Sequence, residues 1–326
     1  FDPCGRYVFI TDFLYGTVQR GEIVLDLARR ADGPSIPLGP GDAPIPHYVS
    51  GPEMPRNFGA ADRFGPWLAL GAYSEVQLLD WTDPSAAPLL RARINNNRED
   101  PSPTPYEGQR HLLHRLISEV VFDPVDGDLL ITRASDGFVR AYDSSGLDQL
   151  ADESTPEPPA DRPYTSVPIV DWPLLWEERR DLGGIGERPT SGGVIWVPDR
   201  EAILIGDAEI LELRDARSGE QLATVEASNA PMQAIAIFPD GKTIVVGGEA
   251  ERLTWLTLSG NRFTVDGTTP APMGGVIDLA VAPSAEGVLA TGPKGTWLYR
   301  AYGPYEARQL LRVTDYEFAA AASFTP

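Results

Sequence analysis

Cysteine occurs once, at Cys4, which excludes a disulfide framework and a cysteine metal cluster and leaves the redox compartment open. Histidine occurs only at His47, His111 and His114, so any imidazole base or ligand has to come from those three positions. Lysine is nearly absent too: Lys242 and Lys294 stand against 25 arginines, a skew expected of a GC-rich bacterial source and given no mechanistic weight. Positive charge is short overall. A net charge of −20 weighs against nucleic acid as a partner, because that binding depends on Lys and Arg neutralising phosphates. No apolar run approaches the ~18 residues of a membrane-spanning helix, and there is no Asn-x-Ser/Thr acceptor. Nor is there a Gly-x-Ser-x-Gly elbow, a phosphate-binding Gly-x-x-x-x-Gly-Lys-Ser/Thr loop or a dinucleotide fingerprint. Gly183-Gly-Ile-Gly186 runs into Glu-Arg-Pro, which starts no helix. No charged-then-apolar leader opens the chain. Whatever preceded Phe1 is expected to have been removed, and a mature exported protein and an excised domain both fit, so localisation stays open.

What the chain does have is a repeat. Apolar runs at 193–197, 202–206, 209–215 and 221–226 are separated by Pro-Asp, Gly-Asp and Ala-Arg-Ser-Gly, and the series begins again at 234–238, 243–247, 253–258 and 262–265. Short runs rich in Val, Ile, Leu and Thr between Gly, Pro, Asp and Ser are strands joined by tight turns. The turn after the first strand recurs at Trp196-Val-Pro, Phe238-Pro, Val281-Ala-Pro and Phe324-Thr-Pro, at intervals of 42, about 43 and about 43 residues. Four strands in ~40–45 residues cannot bury both faces of their sheet alone, whereas sheets stacked in a ring can. The expected fold is therefore an all-β propeller formed as a single domain over residues 1–326. The hairpins at 6–27, 66–81, 128–142, 202–215, 243–258 and 287–300 count six blades. Seven is the rival, since 164–176 has room for an irregular one. The chain enters and leaves mid-repeat, so residues 318–324 are expected to pair beside 6–11 and close one blade, hiding the sheet edges of a gapped ring.

Leu211-Glu-Leu-Arg-Asp215-Ala-Arg-Ser-Gly219 and Val139-Arg-Ala-Tyr142-Asp143-Ser-Ser-Gly146 resemble the third strand and turn of the WD40 repeat, and Leu78-Leu-Asp80-Trp81 resembles a shuffled version. The resemblance implies a propeller. No Gly-His pair precedes the first strands, so the family's buried His-Asp network does not come with it.

Three stretches break the rhythm, at about 28–63, 95–115 and 147–188. The first carries seven prolines and the third opens on Asp152-Glu-Ser-Thr-Pro-Glu-Pro-Pro. Each is placed between a fourth strand and the next first strand, which puts all three on one face as a platform, and long ordered loops usually serve binding or catalysis. Trp172, Trp176, Tyr164, Tyr106 and His47 fall within these loops and are its candidate interaction residues, with pinning of the loops to the disc as the alternative role of the rings. Glu107, His111 and His114, spaced i, i+4, i+7, are a metal candidate if 107–114 is helical; solvated histidines over a face of Leu112, Leu113 and Leu116 are the plainer reading. Asp123-Pro-Val-Asp126-Gly-Asp128 gathers three carboxylates but lacks the ligand order of an EF-hand, and it stands where other repeats have a Pro-Asp-Gly turn. The expectation is a non-enzymatic scaffold that binds a protein or peptide without a metal or cofactor. The alternative is a channel-centred propeller enzyme, lactonase-like or oxidoreductive, using carboxylates or a metal.

Overall fold

A computed structural model describes residues 7–10, 23–26, 61–72, 75–80, 89–95, 117–134, 137–152, 170–179, 192–282, 285–300 and 307–312 of the chain. These form two compact units, Phe1–Arg179 and Arg180–Pro326. Among the described residues both are antiparallel β, with one short helix in the first.

In the first unit, β1 (Tyr7–Ile10) pairs with β2 (Ile23–Asp26). A four-stranded meander follows, made of β3 (Ala61–Phe64), β4 (Trp67–Ala72), β5 (Glu75–Asp80) and β6 (Leu89–Asn95). The next sheet holds β7 (Ile117–Phe122), β8 (Leu129–Ala134), β9 (Phe138–Asp143) and β10 (Leu174–Arg179), with a six-residue helix α1 (Leu147–Asp152) between its last two strands. The second unit repeats the meander three times. Its strands are β11 (Val194–Trp196), β12 (Ala202–Asp207), β13 (Ile210–Asp215) and β14 (Gln221–Glu226); β15 (Met232–Ile237), β16 (Thr243–Gly248), β17 (Arg252–Ser259) and β18 (Arg262–Pro270); and β19 (Asp278–Val281), β20 (Gly287–Gly292), β21 (Gly295–Arg300) and β22 (Ala307–Arg312). All six expected hairpins are present. The fourth strand expected at 262–265 runs on to Pro270, past a register shift opposite Trp255 and Leu256.

In four of the five four-stranded sheets the turn after the first strand is closed in a similar way, which is why its sequence recurs. Asp123 N donates to Leu129 O, Val197 N to Ala202 O, Phe238 N to Thr243 O and Ala282 N to Gly287 O, each at 2.8–2.9 Å. A second bond tightens the loop from Gly127 N to Asp123 O, Arg200 N to Val197 O, Gly241 N to Phe238 O and Ala285 N to Ala282 O. Each of these four first-to-second strand reversals is thus closed by two backbone hydrogen bonds of its own, with its described tip residues facing solvent.

Neighbouring sheets share their side chains as layers. Sheet β15–β18 is covered on both faces. Ile235, Ile244, Val246 and Leu256 pack with Leu204, Leu211 and Leu213 of the preceding sheet, while Ala236, Val245, Leu253 and Trp255 pack with Val288, Ala290, Trp297 and Tyr299 of the following one. Strands covered twice read as nearly continuous apolar runs, as Thr243–Gly248 does. The polar atoms inside are paired: Trp255 Nε1 donates to Thr269 Oγ1 at 3.0 Å, and Tyr299 Oη, whose ionisation burial pushes up to about 12, donates to Pro270 O. The first unit has the equivalent layer. Trp67, Ala69, Val76, Leu78, Ala92 and Ile94 of sheet β3–β6 meet Val120, Phe122, Leu130 and Tyr142 of sheet β7–β10.

Two glycine-rich strand ends show how tightly the sheets meet. A Cβ on Gly248 would lie 2.1 Å from Pro231 O and 2.8 Å from Met232 Cα, and one on Gly292 would lie 2.0 Å from Gly275 O. Each glycine ends a second strand, against the backbone that leads into the first strand of the same sheet. The incoming backbone bonds there, Val276 N to Gly248 O at 2.8 Å and Glu249 N to Pro231 O at 3.1 Å.

Elsewhere the turn chemistry is strained. Ala208, between β12 and β13, has φ +45°, a conformation that costs an L-residue about 1–2 kcal/mol. Ala208→Gly should raise stability by about 0.5–1 kcal/mol after the extra entropy of glycine is deducted, read as a higher urea midpoint. A lower midpoint would mean that the Ala208 methyl contributes packing that outweighs the strain.

Two of the three expected insertions change shape. Residues 28–63 end in β3, the first strand of its sheet. The stretch 147–188 contains both α1 and β10, the fourth strand of its sheet. The third long connection therefore joins a third strand to a fourth. It leaves Asp143 at the end of the sheet where β7 turns into β8: Asp143 N bonds Pro173 O, and Ser144 N bonds Asp128 O. Residues 96–116 lead instead into Ile117, at the opposite end of β7. By this alternation of strand direction the third connection starts at the opposite end of its sheet from 96–116, and the expected meeting of the three stretches on one platform lies outside the described residues. The expected pairing of 318–324 with 6–11 lies outside the described residues.

Candidate functional site

The aromatic candidates that can be placed sit at the outer edge of sheet β7–β10. Asp171-Trp172-Pro173 precedes β10, with Val170 N bonded to Arg93 O at 2.8 Å. Trp172 is 5% exposed and belongs to the core layer with Ile117, Tyr142 and Leu147. Trp176 lies within β10 opposite Ala141, just past a register shift, and is half-buried. Trp172 lies outside a strand, as expected, and its burial fits the alternative role of the rings, whereas the expectation that Trp176 lies in a loop is corrected. Trp172 pins the connection to the sheet, and Trp176 is a strand residue. Tyr106, Tyr164 and His47 lie outside the described residues, as do the metal candidates Glu107, His111 and His114. Among the described residues no group of three or more His, Cys, Asp or Glu is placed to hold a metal ion.

Beyond the tryptophans, β10 alternates. Leu175, Glu177 and Arg179 are exposed, and Leu174, Trp176 and Glu178 are half-buried. Cross-strand pairing sets Glu177 opposite Arg140 and Arg179 opposite Phe138. Arg140 Nε donates to Glu177 Oε2 at 3.1 Å while the guanidinium carbon stands 4.3 Å over the Phe138 ring; that of Arg179 is 5.8 Å from the same ring. The Arg140 side chain is 6% exposed while its partner Glu177 is 45% exposed, so the ion pair reaches solvent and the ring of Phe138 supplies the second contact. This edge offers apolar, aromatic and charged contacts to another molecule. It contains no nucleophile paired with a base.

Glu177 and Arg179 are not legible as strand residues because 147–188 reads as one loop, whereas Phe138 and Arg140 lie in the hairpin expected at 128–142. The available signal was the missing fourth strand of that repeat, with Leu174-Leu175-Trp176 as the one apolar run after Pro173 able to supply it.

The acidic motif at 123–128 is a turn. Val125 N donates to Asp123 Oδ1 at 2.8 Å, Ser144 Oγ donates to Gly127 O at 2.7 Å, and the Phe64 ring fills the space where a Gly127 side chain would be. Burial raises the Asp123 carboxyl above 3.8, with the hydrogen bond and charge of Asp128 adding to the rise and backbone donors at Val125 and Asp126 opposing it. The turn aspartates of the second unit go the other way. Burial alone would raise Asp215 and Asp240. Asp215 nevertheless lies below 3.8, because Ser218 N, Ser218 Oγ and Arg217 N donate to it, and Asp240 lies below 3.8 through Thr243 N, Lys242 N and Thr243 Oγ1.

The pH consequences have opposite signs. Asp215 and Asp240 bind protons less readily folded than unfolded, so they stabilise the fold above about pH 4 and lose that contribution as pH falls through their folded values. Asp123 is penalised when ionised, and the penalty is relieved as pH falls through its raised value. Accordingly, Asp215→Asn and Asp240→Asn should flatten the acid limb of the stability-pH curve below about pH 4, and Asp123→Asn should raise stability at neutral pH. Urea titrations from pH 2 to 7 measure both; a D123N variant less stable at pH 7 would refute the assigned penalty.

Neither a model of a known protein family nor a curated protein matches the chain.

Proposed function

We propose that the chain is a β-propeller of degenerate WD40-like repeats that works as a non-enzymatic protein-binding module. The ring is supported by five four-stranded meanders in succession, by first turns closed in a similar way in four of them, and by first strands that lie side by side in successive sheets of each unit. Binding is supported by one contrast. Among the described residues of the second unit the strands are joined by short turns, several closed by their own hydrogen bonds, whereas residues 27–60, 96–116 and 153–173 are long, proline-rich connections. Proline limits what such a connection loses in entropy when it is held by a partner. With the third connection leaving from the opposite end of its sheet, the contacts divide between 27–60 with 96–116 and, separately, 153–173 with the β10 edge.

The test is to replace 96–116 and 153–169 in turn with short Gly-Ser linkers and measure capture of the native partner, alongside the urea midpoint. Loss of capture by at least one replacement at an unchanged midpoint is expected. Capture indifferent to both replacements, or a stoichiometric metal or chromophore found by elemental analysis and absorption, would overturn the reading and favour the enzyme.

A further inference from the structure

We draw no further inference here: the strongest candidate, the Phe138, Arg140, Glu177 and Arg179 cluster where β9 meets β10, holds a guanidinium buried to 5% exposure, and nothing in the structure shows what covers it.

Discussion

Gly248→Ala is expected to cost about 3 kcal/mol or more, and Gly248→Val to unfold the sheets around it. A methyl group is small, but here it meets backbone: Pro231 O at 2.1 Å and Met232 Cα at 2.8 Å. A flexible side chain would rotate away. The crossing chain cannot, because Glu249 N holds Pro231 O and Met232 N holds Ala208 O at 2.7 Å. Moving it breaks bonds on two sheets and opens the layer containing Met232 and Ile235. Gly260→Ala is the matched control. Its φ of +58° is strained for alanine but nothing lies within 4 Å, so the loss should stay near 1–2 kcal/mol. Urea midpoints of the two variants read the difference directly. Equal losses would show that the crossing yields to an added methyl group without losing its hydrogen bonds.

Trp172→Ala is expected to cost about 3–5 kcal/mol, the range for removing a large buried aromatic from a packed layer. The ring is 5% exposed, and its loss would leave a cavity lined by residues such as Tyr142 and Leu147 of its core layer. It would also loosen the segment that presents Pro173 O to Asp143 N at the start of β10. Leu175→Ala, three residues on and 40% exposed, should change stability by less than about 0.5 kcal/mol. Near-ultraviolet circular dichroism together with the urea midpoint separates the two. A stable Trp172→Ala protein would mean that the ring is dispensable to the layer and would return it to the candidates for partner contact.

The burial of Trp172 shows where the sequence stops being readable. An aromatic between Asp171 and Pro173 has the local chemistry of a loop, and it does lie outside a strand. Burial came from elsewhere in the chain, through Ile117, Tyr142 and Leu147, and no local pattern reports that. Strands β3 and β10 were missed for a related reason. Ala61-Asp-Arg-Phe64 has apolar residues only at its ends, and Leu174–Arg179 is half charged, so neither carries the β-rich run that marked the others. Both are strands because a neighbour pairs with them, the situation in which strand propensity is overridden by context. By contrast, 192–282 was legible almost residue by residue. Its inner strands are covered by neighbouring sheets, so β12, β15 and β16 read as largely apolar runs, and Pro-Asp turns punctuate them.

The glycine crossings bear on how such a chain grows. Gly248 belongs to one repeat, while Pro231 and Met232, which press against it, open the same sheet; at Gly292 the pressing residues, Met273 and Gly275, lie in the connection leading into that sheet. Each crossing is therefore self-contained within about one repeat length. A tandem duplication of a whole repeat carries both halves of the crossing with it, so a gene can gain or lose a repeat without inventing a new joint. A duplication out of phase separates the glycine from the chain it accommodates and has nothing to fill the gap. Selection on such lengths would keep changes to multiples of the repeat, while sequence drift elsewhere in the repeat goes on, the near-additive behaviour of arrays whose units contact only their neighbours. Degenerate residues on a regular period are what that history leaves behind.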